Sequence, residues 1–308
     1  MTKPPISSMM ELSSFNPEAR NNPHPLLKSV REACPAFRDE MVKAWMLTRY
    51  EDIRALVNDR STVRHPSNAE EGSIARRLVD EAEVRDRGLT SILFLDDPDH
   101  ARIRQPLMKA FYARINAMKP QIEAIIDEVI ENAPDTGAFD LITQIAIPIP
   151  ILVIARILGV EKERVGDFRE WSEAVILSLN PLRTPEEDKL LEWGSAELDA
   201  YFKQAIEDRR ATPQDDLISD MVAVVAAGAD ISDEELTRNL QSLLVGGNLT
   251  TTDLIANGVW LFLTHPEELA KLRADPGLVG AAVEEVLRYE SPVAVTSRVL
   301  PEDREIAG

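Results

Sequence analysis

Residues 243–255 read "LLVGGNLTTTDLI", and they fall inside a run whose periodicity predicts one long helix. Ser232 with Glu235 three residues on, in "SDEE", is a capping-box pattern, and Leu236, Leu240, Leu243 and Leu244 continue a helical apolar stripe. The run extends to Thr264, before His265-Pro266, which predicts about 33 residues and roughly 50 Å, enough to cross a whole domain. Gly246 and Gly247 each disfavour such a helix by about 1 kcal/mol relative to alanine, and three β-branched threonines weaken it further. Two explanations stand side by side: a packing kink, or a backbone thinned so that a flat ligand can approach while a threonine hydroxyl faces it.

Working outward, the chain reads as mainly α with small β-sheets. "VKAWMLTRY" predicts a short strand or hairpin and "EDIRALVND" a helix. Further helices are expected over 69–86, 98–112, 115–132, 143–158, 162–178, 186–210, 215–227, 232–264, 266–273 and 277–290, and the closing "VTSRVLPEDREIAG" alternates like a strand. Residues 1–24, rich in Pro, Asn and Ser, predict an extended N-terminal arm, and 25–308 a single domain.

Composition narrows the function classes. The 308 residues are 44% hydrophobic, enough for a sizeable core, and 34 Lys plus Arg against 53 Asp plus Glu give a net charge of −19. Such a chain repels nucleic acid and anionic membrane surfaces. The first residues lack an apolar core of signal-peptide length, and "IAIPIPILVIARILG" is interrupted by Pro148, Pro150 and Arg156, so a cytoplasmic protein is expected. Cys34 is the sole cysteine, which excludes an intrachain disulfide, and its setting "REACPAFRD" reads as structural.

Three other stretches carry chemistry. In "FLDDPDHARIR" (94–104), Asp97 as N-cap and Pro98 at the first helical position predict a strong helix start, with His100 and Arg104 four residues apart on one face, able to meet one anion. Lys109, Arg114 and Lys119 continue a local basic segment in an acidic protein. In "VEEVLRYESPV" (283–293), Glu285 and Arg288 are spaced to pair before the helix stops at Ser291-Pro292. Arg298 follows in the strand-like segment. The bland readings are a solvated helix face, surface decoration and a solvent-facing arginine.

In this order, the four segments resemble the cytochrome P-450 superfamily of haem-thiolate monooxygenases, particularly its soluble bacterial members. "NPHPLLKSVREACPAF" and "AWMLTRYEDIRALVND" resemble that family's N-terminal helix, hairpin and next helix, and "EEVLRY" its Glu-x-x-Arg motif, so the resemblance covers nearly the whole chain. It implies a cytochrome P-450-like fold, a haem (haem b) cofactor, and activation of O2 to oxidise a small apolar organic substrate. Electrons would come from a ferredoxin-type donor with its reductase, docking on the basic surface around Lys109 and Arg114. Residue by residue, it implies that His100, Arg104 and Arg298 hold the haem propionates and that Gly246 and Gly247 let the central helix pass close over the haem. Thr250 would donate a hydrogen bond to bound dioxygen, and Glu285 with Arg288 would form a buried structural pair. Specificity would lie in 61–93, in the loop near 178–186 and in a later C-terminal portion.

Two departures accompany the resemblance. The family's axial cysteine lies in a loop well after the Glu-x-x-Arg motif, and this sequence reaches Gly308 without it, so a C-terminally truncated chain, a fragment or inactive on its own, is expected. Leu249 stands where the family has an acid, so Asp253, or Thr251 and Asn248 with water, would relay protons instead. Two other classes compete: a non-catalytic helical ligand-binding or interaction protein of the same fold, and a Mg-dependent isoprenoid synthase suggested by "DDPDH", although His100 stands where such motifs place an acid.

Overall fold

The computed structural model describes residues 5–12, 16–77, 79, 91–134, 137–179 and 183–306. They fall into two compact units, one of residues 1–89, 93–96 and 297–308 and one of residues 90–92 and 97–296.

In the first unit, helices α1 (Pro17–Asn21) and α2 (His24–Ala33) precede an antiparallel hairpin, β1 (Ala36–Asp39) and β2 (Ala44–Leu47), and helix α3 (Tyr50–Asn58). The start of the chain is not the extended arm expected for 1–24. Met9–Leu12 form a 3-10 turn, Ile6 is buried against Val30, Cys34 and Phe37, and the Ser8 hydroxyl donates to the buried carboxylate of Asp39 at 2.7 Å. A buried carboxylate needs such donors, and the Met9 amide supplies a second at 2.7 Å. The closing segment forms no strand among the described residues: it contributes one isolated bridge, Val63 to Val299. Residues 78 and 80–90 lie outside the described set, and with them part of the expected helix 69–86 and of the segment 61–93; the described residues 69–76 form turns and bends, not a helix.

The second unit is helical: α4 (Asp99–Glu131), α5 (Pro148–Leu158), α6 (Val165–Ile176), α7 (Pro185–Ala211), α8 (Leu217–Ala226), α9 (Asp233–Thr264), α10 (Pro266–Ala274) and α11 (Val279–Tyr289). Helix α4 merges the two helices expected over 98–112 and 115–132, because nothing between Tyr112 and Ile115 breaks a helix. It also carries Pro106 and Pro120 in its interior. Conversely, the helix expected over 143–158 is divided: Ile142–Ala146 form a π-turn, and Pro148, which has no N–H to lose, occupies the first turn of α5.

Helix α9 is unbroken over 32 residues, so its two glycines do not interrupt it. Its capping box is formed as the sequence predicts: the Ser232 hydroxyl accepts from the Glu235 amide at 3.2 Å while the Ser232 amide donates to the Glu235 carboxylate at 2.8 Å. Leu236, Leu240 and Leu244 are fully buried and fix which side of α9 faces the core. Around them α6 and α7 pack closely. Gly194 makes this possible, since a Cβ there would lie 2.6 Å from that of Ala174. Phe168, Tyr201 and Phe202 fill the adjoining layer, with Phe168 edge-on to Tyr201 at 4.6 Å between ring centroids. No described helix is long and apolar enough to cross a membrane.

Candidate functional site

The core-facing side of α9 determines what its other side presents. Asn248 is buried and its amide donates to the Ser172 hydroxyl at 3.0 Å, while the buried Thr252 donates to the Asn248 carbonyl at 3.0 Å. These two residues make core contacts, and the Asn248 side chain lies away from the open side of the helix. On the opposite side, Ser242, Gly246, Thr250, Asp253 and Asn257 follow one another at spacings of four and three residues and share a stripe. Gly246 is exposed, and a Cβ built on it meets nothing within 4 Å; Gly247 instead faces Ile154 of α5, whose side chain would lie 3.4 Å from an added Cβ. Of the two glycines expected to clear a ligand, only Gly246 lies on the open side.

Thr250 donates its hydroxyl hydrogen to the Gly246 carbonyl at 2.7 Å. That hydroxyl has one hydrogen, so in this geometry it offers lone pairs and accepts, and the donor role expected of it is corrected accordingly. Asp253 lies one turn on. Its residue surface is exposed, yet the packing around its carboxyl desolvates it and raises its pKa above the ordinary aspartate value. Thr251 is exposed and sits one residue round the helix from the stripe.

On α4, the N-terminal cap position falls on Pro98, and Asp97 still accepts from the Ala101 amide at 3.2 Å. The His100 imidazole lies 3.6 Å from the Asp97 carboxylate, and Arg104 is exposed with no ion-pair partner among the described residues. Arg114 is no free docking cation. Its guanidinium is clamped by Asp220 at 2.8 and 2.9 Å and also by Asp215, and these carboxylates raise its pKa. Lys109 and Lys119 are exposed. Arg298 belongs to the first unit, where its guanidinium donates to the Ser297 carbonyl at 2.7 Å; burial, with the charge of Arg64, lowers its pKa.

Glu285 and Arg288 do pair, through two contacts of 2.7 Å, but as an exposed couple on α11 with side chains 61% and 66% accessible, not as a buried one. The carboxylates of "DDPDH" go to separate partners: Asp96 to the amides of Arg64 and His65, Asp99 to Arg102. No group of three His, Cys, Asp or Glu able to hold a metal exists among the described residues.

Sequence reading missed Asn239 and Ser242. Asn239 accepts from the Ile92 amide at 3.0 Å and Ser242 meets Ser91 at 2.8 Å; with partners some 150 positions away, no local signal marks either residue.

No model of a protein family matches the chain. Individual relatives do. A putative cytochrome P450, YjiB, of Bacillus subtilis (strain 168) is 32% identical over 301 residues, which are 96% of this chain and 72% of the relative. Cytochrome P450 107B1 of Saccharopolyspora erythraea is 37% identical over 82% of this chain and 61% of its own length, and a vitamin D(3) 25-hydroxylase of Pseudonocardia autotrophica 35% identical over 89% and 66%. Among solved structures, P450BioI in complex with an acyl carrier protein ligated to hexadec-9Z-enoic acid superposes with a TM-score of 0.83 at 31% identity, covering 95% of this chain and 75% of that one. A myxobacterial cytochrome P450, CYP267B1, in complex with myristic acid gives 0.81 at 34% identity, covering 94% and 72%. The chain belongs to the cytochrome P450 superfamily.

Relatives in this superfamily are haem-dependent monooxygenases, which implies haem, O2 and an organic substrate. The residues in hand fit that group only in part. The Gly246 face suits a flat ligand and His100 and Arg104 suit carboxylates, but iron would need a thiolate. Cys34 is buried in the cluster of Ile6, Val30 and Phe37 with its Sγ 3.3 Å from the Ala36 carbonyl oxygen, so it is not that ligand.

Proposed function

We propose that this chain supplies the oxygen-side wall and the carboxylate anchors of a haem-dependent monooxygenase that oxidises a small apolar organic substrate. The carrying observation is the stripe on α9: an unbroken helix with Gly246 bare and open, and Thr250 one turn on with its hydrogen already spent. Gly246 lets a flat ligand lie against the backbone. Thr250 accepts a hydrogen bond from whatever protic group sits over that face, and Asp253, its pKa raised, exchanges protons near it. His100 and Arg104 would take the acidic edge of the ligand; charge-assisted bonds to carboxylate are the strong ones. Electrons would enter from a ferredoxin-type donor. With Arg114 neutralised, docking falls to Lys109 and Lys119, which share a face of α4 with Tyr112 and Asn116.

Titration of the purified chain with haemin, followed by Soret absorbance and tryptophan quenching, tests the reading. Binding is expected, without the carbon-monoxide band of thiolate-ligated haem, and Arg104→Ala should weaken it several-fold. Binding unchanged in Arg104→Ala and His100→Ala would remove these residues from the site.

A further inference from the structure

The open stripe of α9 has two ends, and both are closed by polar side chains. At the C-terminal end the Asn257 amide donates to the Glu290 carbonyl, at the cap of α11, at 3.1 Å. At the N-terminal end, Ser91 and Ile92 lie across the helix. The Ile92 amide donates to the Asn239 side-chain oxygen at 3.0 Å, and the Asn239 nitrogen donates back to the Glu235 carbonyl at 2.7 Å. Ser242 gives its single hydrogen to the Arg238 carbonyl at 2.8 Å, so in the 2.8 Å contact with Ser91 it is Ser91 that donates. Asn239 is 1% and Ser91 5% exposed, so these bonds are made away from water. Between Ser242 and Asn257 the helix rises about 22 Å, and Gly246 stands one turn, about 6 Å, from the crossing.

We propose that Asn239 and Ser242 form a two-point latch pinning Ser91 and Ile92 across the N-terminal end of this stripe, and that the latch sets how far toward that end a bound ligand extends. They are positioning residues: both lie on the same side of α9 as Gly246 but N-terminal to it, and they act through the crossing segment. That the stripe holds a ligand rests on the monooxygenase reading above; the latch itself does not. The two closed ends would limit the length of a ligand lying along α9.

Hydrogen exchange at the Ile92 amide tests the first half without any ligand. Loss of one net hydrogen bond lowers protection roughly fivefold, so Asn239→Ala should accelerate exchange by about that factor, whereas Asn257→Ala, at the far end, should leave Ile92 unchanged. The second half is read by labelling Gly246→Cys, a position with room for the side chain, with N-ethylmaleimide and with the bulkier fluorescein maleimide; the parent chain, whose Cys34 is buried, gives the background. The small reagent should be preferred while the latch is intact, and the preference should shrink in Asn239→Ala. If Asn239→Ala misfolds, Ser91→Ala removes one latch point while leaving α9 intact, with the same expectations. Unchanged Ile92 exchange, or faster exchange with an unaltered reagent preference, overturns the proposal. Since neither arm contains haem, a failed haemin titration counts against the monooxygenase reading alone.

Discussion

Thr250 and Gly246 are joined within α9 by a 2.7 Å hydrogen bond from the threonine hydroxyl to the glycine carbonyl. The bond satisfies the hydroxyl locally, so the helix does not depend on Thr250 for tertiary stability. Alanine has the higher helix propensity, and Thr250→Ala should therefore leave stability unchanged or raise it by about 0.5 kcal/mol in urea melts. A loss above about 1 kcal/mol would show that Thr250 carries packing and not chemistry.

The two glycines should part company under the same substitution. Gly246→Ala meets open space and should stabilise by up to about 1 kcal/mol. Gly247→Ala presses on Ile154 at 3.4 Å, so its propensity gain is offset by repacking. Paired melts and haemin titrations check the corollary, that Gly246→Ala is the more stable variant and the poorer binder.

Arg209 and Asp216 form a buried pair at 3.0 Å, and Arg209 also donates to the Gly159 carbonyl at 2.8 Å. Removing one partner leaves a buried charge, which costs about 3–5 kcal/mol, so Asp216→Ala should lower the urea midpoint sharply. Gly159→Ala should do likewise, because its φ is +80° and an added Cβ would lie 2.2 Å from the Asp216 carboxylate.

Glu235 is held below the usual glutamate range, first by its hydrogen bond from Arg102 and then, against the opposing effect of burial, by the Ser232 donors of the capping box. A depressed folded-state pKa means that the unfolded state binds the proton more tightly. The stabilisation is therefore complete above the unfolded value of 4.5 and is lost as pH falls through the folded one. Thermal melts across that acid range should show a shallower pH dependence for Glu235→Gln, with lower stability at neutral pH.

The exposed Glu285–Arg288 pair should be dispensable for folding of this chain, since solvent screens both groups. Glu285→Gln should shift a denaturant midpoint by no more than its experimental error. A clear shift would indicate burial of the pair in solution.

What the sequence determined by itself was local. Ser232 and Glu235 start α9, Pro266 follows its end, and the order of the four motifs points to the cytochrome P450 superfamily; each depends on residues close together in the chain. Which way side chains face was decided only by tertiary packing. Leu236, Leu240 and Leu244 turn α9 so that Gly247 meets Ile154 and Gly246 is left bare, a difference of one residue that identical neighbours cannot encode locally. Arg114 read as a free cation until α8 brought Asp220 to it, and Asn239 was silent until Ile92 arrived from 147 residues away. Helix propensity and capping act over a few residues, whereas the partners of a buried polar group are chosen by the fold as a whole, because desolvation forces each to be satisfied wherever a partner lies.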